Sequence, residues 1–393
     1  MPLSIRTLEI SECNNVNHYY VAEIEIEWIA SWQMDRMIKN SFPKIKLFVK
    51  DPIEMISYLL IDPEIMLGWK DHVHFKHYRL SQQDSNGNSV RAFGNVMTSQ
   101  WSEMTEKEII QKDVDGVLLP IILYADGVCV SDSHVNNKIT PVIITIGNFS
   151  DELMNQPFTK SVLSYLPNFN SHSKTVLIKH LQSTLRISNA AAKRNVKAFE
   201  LFVERTFWSS ILNIINNYAE RGIKLQVLGQ GIKTFYPRIA FVCGDDPSQH
   251  RISGLSEGMA THGCTYCNYN TLTGLVYDPT RDTPRDIIAI SRDCIKAEPI
   301  MKRLMEGTSI IPGLKLSRQE RTTLRYLKNQ NIHPYINPFH NSAMGHIGNI
   351  FAGVPPDLLH LFCAGLMKSL VQWVMIIVQC ICKYLKVLII LIF

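Results

Sequence analysis

Two apolar runs in the first half of the chain carry almost no polar residues. They are LPIILYA at residues 119–125 and TPVIITI at residues 140–146, with turn-forming residues between them. A continuous apolar run of this length is typical of a strand that is covered on both faces. We therefore predict two strands within 117–148 that run back beside each other. A third β-like run, RIAFVCG, occupies 238–244.

Other segments show the three-to-four residue spacing of an amphipathic helix. This spacing covers 174–219 and returns around 287–307. Two Asp-Pro pairs within 48–67 predict the starts of two short helices, because proline suits the first turn of a helix. Basic residues cluster at 315–328, where they predict a modest positive face.

Composition narrows the class of protein. The chain has 393 residues, of which 46% are hydrophobic and 19% charged, which predicts a folded protein of two or three domains. The formal charge of +5 is too small for a dedicated nucleic-acid-binding domain, so any DNA contact needs a local basic patch. Nine scattered cysteines and the absence of a signal-peptide core at residues 1–10 favour a reducing compartment, the cytosol or the nucleus.

The segment 370–393 is almost wholly apolar and long enough to span a membrane. Lys383 and Lys386 lie inside it, and a charge near the centre of a bilayer is costly. We therefore favour a buried helix from Asp357 to about Lys383 over a membrane span. A third interpretation is that the final residues are a spurious tail from a misread gene end.

Three aspartates are candidates for chemistry. Asp126 and Asp245 each follow an apolar strand, and Asp357 precedes an apolar helix. Carboxylates that converge from separate elements can hold Mg²⁺ or Mn²⁺ in two-metal phosphoryl transfer. The simpler interpretation is that these aspartates are turn residues or helix caps, and spacing alone favours it.

A second candidate site is the Cys-x-x-Cys pair Cys264 and Cys267, which is half of a structural zinc centre. His262 and His360 are among the residues available to complete it, and His360 also shares a helix face with Asp357. Two incidental buried cysteines, or a structural histidine, are the alternatives. A redox Cys-x-x-Cys is less favoured, because no helix follows that would lower the first thiol's pKa.

Five motifs occur in a fixed order along the chain. They are DPIEMISYLLIDP, LPIILYADG, ITPVIITIGNFS with SVLSYLPNF, GDDPSQ with HGCTYC, and PPDLLHLFCAGLMKSLVQW. Together they resemble the transposases of Plavaka-type elements, a fungal branch of the CACTA group of DNA transposons. The resemblance runs from about residue 49 to residue 373.

The resemblance implies an α/β fold, namely an RNase H-like mixed sheet with flanking helices. This core would span 117–369, with a helical insertion at about 174–235 and a small zinc-knuckle-like loop at about 243–285. The strands at 117–148 and 238–244 would then lie in one sheet. Residues 1–45 would be an N-terminal segment of unknown role, and residues 46–116 a helical or irregular region. The hydrophobic helix or tail would follow the core at 370–393.

The same resemblance implies Mg²⁺- or Mn²⁺-dependent cleavage of element ends, followed by joining to target DNA. Asp126 and Asp245 would be the first and second catalytic acids, and Cys264 and Cys267 would bind zinc. The expected setting is the nucleus, the partner is DNA, and the protein could form a homo-oligomer. No membrane partner is expected.

The third acid departs from the family pattern. Asp357-Leu-Leu-His360 matches an element that precedes the catalytic glutamate of related transposases, and that glutamate would then lie beyond Phe393. Either Asp357 is the third ligand, or the polypeptide stops before its site is complete, and we favour the second. Ser248 also replaces a usual glutamate. We thus expect a truncated, transposase-derived protein whose activity is incomplete, with a non-catalytic DNA- or protein-binding remnant as the alternative.

Overall fold

The computed structural model describes the greater part of the chain. The described residues are 21–26, 45–129, 138–166, 169, 171–255, 264, 267, 283–310, 316–345, 349–351 and 353–355.

Eight α-helices are present in the described residues. They are α1 Pro52–Ile61, α2 Gln100–Lys112, α3 Asp151–Met154, α4 Ser171–Leu185, α5 Asn189–Arg221, α6 Asp246–Ser253, α7 Ile287–Ile310 and α8 Arg318–Asn329. Short 3-10 turns lie at Lys70–His72, Val96–Thr98, Pro157–Thr159 and Pro338–Asn341, and a π-helical turn lies at Glu64–Gly68.

Ten strands are described, in one larger sheet and two small ones. They are β1 Val21–Ile26, β2 Ile45–Lys50, β3 Leu80–Gln83, β4 Ser89–Ala92, β5 Val117–Ala125, β6 Val128–Cys129, β7 Lys138–Ile146, β8 Ser161–Leu166, β9 Ile223–Val227 and β10 Gly231–Cys243. Strands β1 and β2 form one antiparallel pair, and β3 and β4 form another.

The larger sheet has the order β6-β7-β5-β10-β9, and β8 also pairs with β7. Strands β5 and β10 are parallel, whereas the pairs β5–β7, β7–β8 and β10–β9 are antiparallel. The sheet is therefore mixed and combines the predicted strands of 117–148 and 238–244. An α/β fold is confirmed.

The centre of this sheet is apolar on both faces. In β5, all residues from Leu118 to Leu123 are buried, which explains why the run does not alternate with polar residues. The long helix α5 buries Phe199, Val203, Phe207, Ile211 and Ile215. Their four-residue spacing places them on one helical face, and they belong to the same apolar core as the sheet.

The helix predictions hold, with local differences. Asp51 caps α1 by accepting hydrogen bonds from the backbone amides of Ile53 and Glu54, at 2.8 and 3.3 Å. The second Asp-Pro pair opens only the π-helical turn. Two helices fill the first amphipathic stretch, and Arg186 takes a positive φ of 51° between them.

The helical stretch ends before residue 235. Gly222 has a φ of 70° and ends α5, and the following residues form β9 and the start of β10. A positive φ is cheap only for glycine, so this residue lets the chain leave the helix abruptly.

Candidate active site at the end of the central strands

Asp126 and Asp245 follow the carboxyl ends of two neighbouring parallel strands. In the register of β5 and β10, Cys243 is paired with Tyr124, so each aspartate lies two residues beyond this pair. Adjacent strands are about 4.8 Å apart. The two acids, 119 positions apart in sequence, are therefore brought to one edge of the sheet, which we call the acidic edge.

The close approach at the acidic edge depends on Gly244. A Cβ atom at this position would lie 2.7 Å from the carbonyl oxygen of Ala125 and 3.0 Å from Cβ of Ser248. The first contact is with backbone, which cannot rotate away as a side chain can. Only glycine allows the residue before Asp245 to lie this close to the residue before Asp126.

Asp245 is also a helix cap. Its Oδ1 accepts a hydrogen bond of 2.9 Å from the amide of Ser248, and Pro247 stands in the first turn of α6. The simpler interpretation of the sequence, in which this aspartate is a helix cap, therefore describes part of its role. Asp245 is partly exposed and Asp126 is exposed, so both carboxylates are accessible to solvent.

The strand ends beneath these acids carry no compensating charge. Burial raises the pKa of Tyr124 to about 12, and burial raises the pKa of Cys243 to about 11. Both side chains are therefore neutral at pH 7. Negative charge at this edge comes from the two aspartates, and such a site favours a cation over an anion.

Gln249 links the acidic edge to the last described segment. Its Nε2 donates to the carbonyl oxygens of Gly244 and Pro355, at 2.9 and 2.8 Å, and its side chain is buried. The amide of Val242 donates to the carbonyl of Gly353 at 2.8 Å, which fastens the same segment to β10. Sequence reasoning did not single out Gly244 or Gln249. The available signal for Gly244 was its position directly before Asp245.

Cys264 and Cys267 place their sulfur atoms 3.4 Å apart, and neither forms a disulfide. Arg285 holds this pair: its Nε and Nη2 donate to the carbonyl of Cys264 at 3.0 and 2.7 Å, and its Nη1 donates to the carbonyl of Gln330 at 2.8 Å. The guanidinium also lies 5.6 Å from the ring centroid of Phe351. We call Cys264, Cys267 and Arg285 the cysteine corner.

Arg285 is a buried cation that sequence reasoning missed. Desolvation lowers the pKa of Arg285 to about 10, while charge interactions with Cys264 and Cys267 oppose this shift. It therefore remains charged at pH 7. A buried positive charge is costly unless hydrogen-bond acceptors surround it, and the carbonyl groups of Cys264 and Gln330 supply them here.

The remaining predicted ligands lie outside the described residues: His262, Asp357 and His360. Within the described part of the chain, no three His, Cys, Asp or Glu side chains are grouped so that they could hold a metal ion. No helix in that part is long and apolar enough to cross a membrane, and the segment 370–393 is not among the described residues.

The fold and the acidic edge define a mixed α/β protein with paired carboxylates at the ends of parallel strands. A family model described as Plavaka transposase matches residues 23–374. The chain therefore belongs to the Plavaka transposase family and is a transposase-type protein. Membership implies DNA as a partner. A search of curated proteins gave no match.

Proposed function

We propose that this chain is a transposase-derived protein whose acidic edge supports metal-dependent cleavage and strand transfer of DNA. The observation that carries the proposal is the register of β5 and β10, which puts Asp126 and Asp245 at equivalent positions on neighbouring strands. Such a pair can share a divalent cation, and two independent helix caps have no need of this alignment. The RNase H-like assignment is supported by three antiparallel strands, β5, β7 and β8, with parallel β10 beside the first.

The donor chemistry fits Mg²⁺ or Mn²⁺. Both side chains offer carboxylate oxygens, which hard cations prefer, and the hydrogen bond from Ser248 engages only Oδ1 of Asp245. A bound metal would supply an activated attacking oxygen and stabilise the leaving oxygen. The chain's own contribution is orientation: the strand ends fix the two carboxylates, Gly244 keeps them close, and Gln249 holds the end of β10.

Asp357 is the proposed third ligand if the site is complete. Pro355, two residues earlier, is held by Gln249 beside Gly244. The alternative is a chain whose site lacks its last acid and which retains binding alone. The helix-capping bond of Asp245 favours this second function, because a cap explains the residue without any metal.

The cysteine corner fits zinc. Two thiolates bound to one tetrahedral Zn²⁺ at about 2.3 Å lie about 3.8 Å apart, close to the 3.4 Å separation of Cys264 and Cys267. We propose a structural role for this ion, with His262 or His360 among the remaining ligands. We also propose that the protein resides in the nucleus and self-associates on DNA.

The test is Mn²⁺-dependent nicking of supercoiled plasmid by the purified chain, by Asp126→Asn and by Asp245→Asn. Activity that both variants lose supports the acidic edge as the catalytic site, and the further loss in Asp357→Asn identifies the third ligand. A folded wild-type chain that binds DNA but never nicks it establishes the binding remnant instead. Metal analysis of wild type against Cys264→Ser tests zinc separately.

A further inference from the structure

The outward face of α8 carries four cations in a single row. Arg318, Arg321, Arg325 and Lys328 follow each other at steps of three or four residues and are all exposed. At about 100° per residue they fall within an arc of about 80°. Leu327 lies on the opposite side of the helix and is fully buried. We call these four residues the basic stripe.

The basic stripe is not neutralised by its own helix. Glu320 is the one acidic residue of α8, and it serves the N-terminus: its Oε2 accepts from the amide of Ser317 at 2.8 Å, which completes a capping box. Among the described residues, no carboxylate lies within ion-pair distance of the four cations. A stabilising surface helix usually interleaves both signs, so four unpaired cations on one face are unusual for a purely structural role.

A second basic cluster in the same protein, in contrast, forms ion pairs with a carboxylate. On α2, Glu103 is contacted by Arg79, Arg91 and Lys107 at 2.6, 3.0 and 3.0 Å. These contacts lower the pKa of Glu103 to about 2, chiefly through the hydrogen bond from Arg79. Arg79, directly before β3, and Arg91 of β4 thereby hold this hairpin to α2, and Lys107 pairs with Glu103 within α2. In the part of the chain that the structure describes, no carboxylate engages the four cations of the basic stripe in this way.

The length of the stripe matches a polyanion. Ten residues separate Arg318 from Lys328, which is about 15 Å along a helix. Double-stranded DNA carries one phosphate per about 3.4 Å along each strand, so about four phosphates fall within this distance. Asn329, which is exposed, lies beside the stripe and can donate a hydrogen bond to a phosphate oxygen.

The stripe is also fixed to the helix that Asp245 begins. Directly after α8, Ile332 forms a β-bridge with Leu255, and the amide of His333 donates to the carbonyl of Gly254 at 2.9 Å. Gly254 ends α6, whose N-cap is Asp245, and this helix spans about 13 Å. One duplex could therefore reach both regions.

We infer that the basic stripe is a contact surface for the phosphate backbone of duplex DNA. The inference takes DNA as the partner from the proposed function but does not depend on cleavage. The contact is with phosphates, so the stripe strengthens binding to every sequence and does not select one.

The experiment compares two fourfold variants of the full chain in binding to a random-sequence 30-base-pair duplex. The first replaces Arg318, Arg321, Arg325 and Lys328 by Gln. The control replaces four exposed lysines on separate elements, Lys70, Lys76, Lys179 and Lys224, by Gln. Both lower the formal charge of +5 by the same four units, so a difference between them does not come from net charge.

The stripe variant should bind at least about tenfold more weakly at 100 mM salt, and its plot of log affinity against log salt should be shallower by about 3 to 4. The control should retain most of the wild-type slope. Equal losses in both variants, or no loss in the first, would overturn the inference. Loss of binding to phosphatidylserine vesicles with DNA binding intact would overturn it in favour of a lipid surface. Unchanged thermal unfolding establishes that the stripe variant is folded.

The outcome is separable from that of the proposed function. Asp126→Asn should lose nicking while keeping wild-type DNA affinity. A wild-type chain that binds DNA through the stripe and never nicks it contradicts the catalytic proposal and supports this inference.

Discussion

The acidic edge and the cysteine corner bring residues together in different ways. Asp126 and Asp245 are placed by backbone hydrogen bonds between β5 and β10, which run parallel over most of β5. Cys264 accepts two hydrogen bonds from one side chain, Arg285, whose third hydrogen bond goes to Gln330, and Cys267 forms a β-bridge with Pro284. One site is built by the sheet, and the other by a buried guanidinium.

This difference determines what each site tolerates. Strand pairing does not depend on the identity of most side chains, so the acidic edge should withstand conservative changes nearby. It should fail where the backbones themselves are forced apart. The cysteine corner has the opposite weakness, because removal of the Arg285 side chain takes its donors from two carbonyl groups, those of Cys264 and Gln330.

The largest effect is expected from Gly244→Ala. The new Cβ would stand 2.7 Å from the carbonyl oxygen of Ala125, so the strand ends must separate. We expect a loss of about 3 kcal/mol in the free energy of unfolding, measured in urea. If the acidic edge is catalytic, nicking should fall about a hundredfold, because a displacement of about 1 Å is enough for such a loss.

Gly68→Ala is the matched control for this change. A Cβ at Gly68 meets no atom within 4 Å, and its φ is not positive. It should leave both stability and nicking near the wild-type values. A Gly244→Ala variant as stable as the control would show that the strand ends can separate without cost.

Arg285→Met should cost about 2 to 3 kcal/mol in the free energy of unfolding, because the carbonyls of Cys264 and Gln330 lose their donors. The thiols of Cys264 and Cys267 should also react faster with a thiol reagent. Arg292→Met is the control, since Arg292 is 64% exposed and its contact to Asp293 is 4.0 Å long. Equal stability of the two variants would contradict the role given to Arg285.

A smaller effect is expected from acidification. His340 is buried with both ring nitrogens lacking partners among the described residues, and burial lowers the pKa of His340 to about 4. The unfolded chain therefore binds a proton between about pH 6.5 and 4 that the folded chain does not. Stability should fall by about 2 kcal/mol between pH 7 and pH 5.

His340→Phe should remove this part of the pH dependence, whereas the exposed His180→Phe should not. The ring of His340 lies 6.2 Å from that of Phe351, which Arg285 also contacts. A pH profile of unfolding that is identical in wild type and His340→Phe would rule out His340 as its source.

The smallest effect is expected from Gln249→Met. Two hydrogen bonds are lost, to Gly244 and to Pro355, and the expected cost is about 1 to 2 kcal/mol. Gln82→Met, on an exposed strand, is the control and should be neutral. Mn²⁺ affinity of the acidic edge, measured by the broadening of nuclear magnetic resonance signals, should weaken in the first variant alone. Unchanged affinity would mean that Gln249 supports the fold and not the position of Asp245.

Much of the fold could be predicted because its signals are local. The unbroken apolar residues of β5 indicated a doubly covered strand, and the four-residue spacing of α5 indicated a long buried helix. Asp126 and Asp245 could be selected because each follows such a strand. Arg285 and Gln249 could not, since their roles rest on contacts with residues up to 106 positions away.

Local chemistry along the chain determined where strands and helices begin, which acids stand at strand ends, and which cations share one face of α8. Each of these depends on residues within a few positions of one another. The tertiary structure alone decided that β10 lies parallel to β5, with Cys243 opposite Tyr124. It also decided that a buried arginine holds the cysteine pair. Pairing between distant strands and burial of a charge are set by the packing of the whole core, which no single segment encodes.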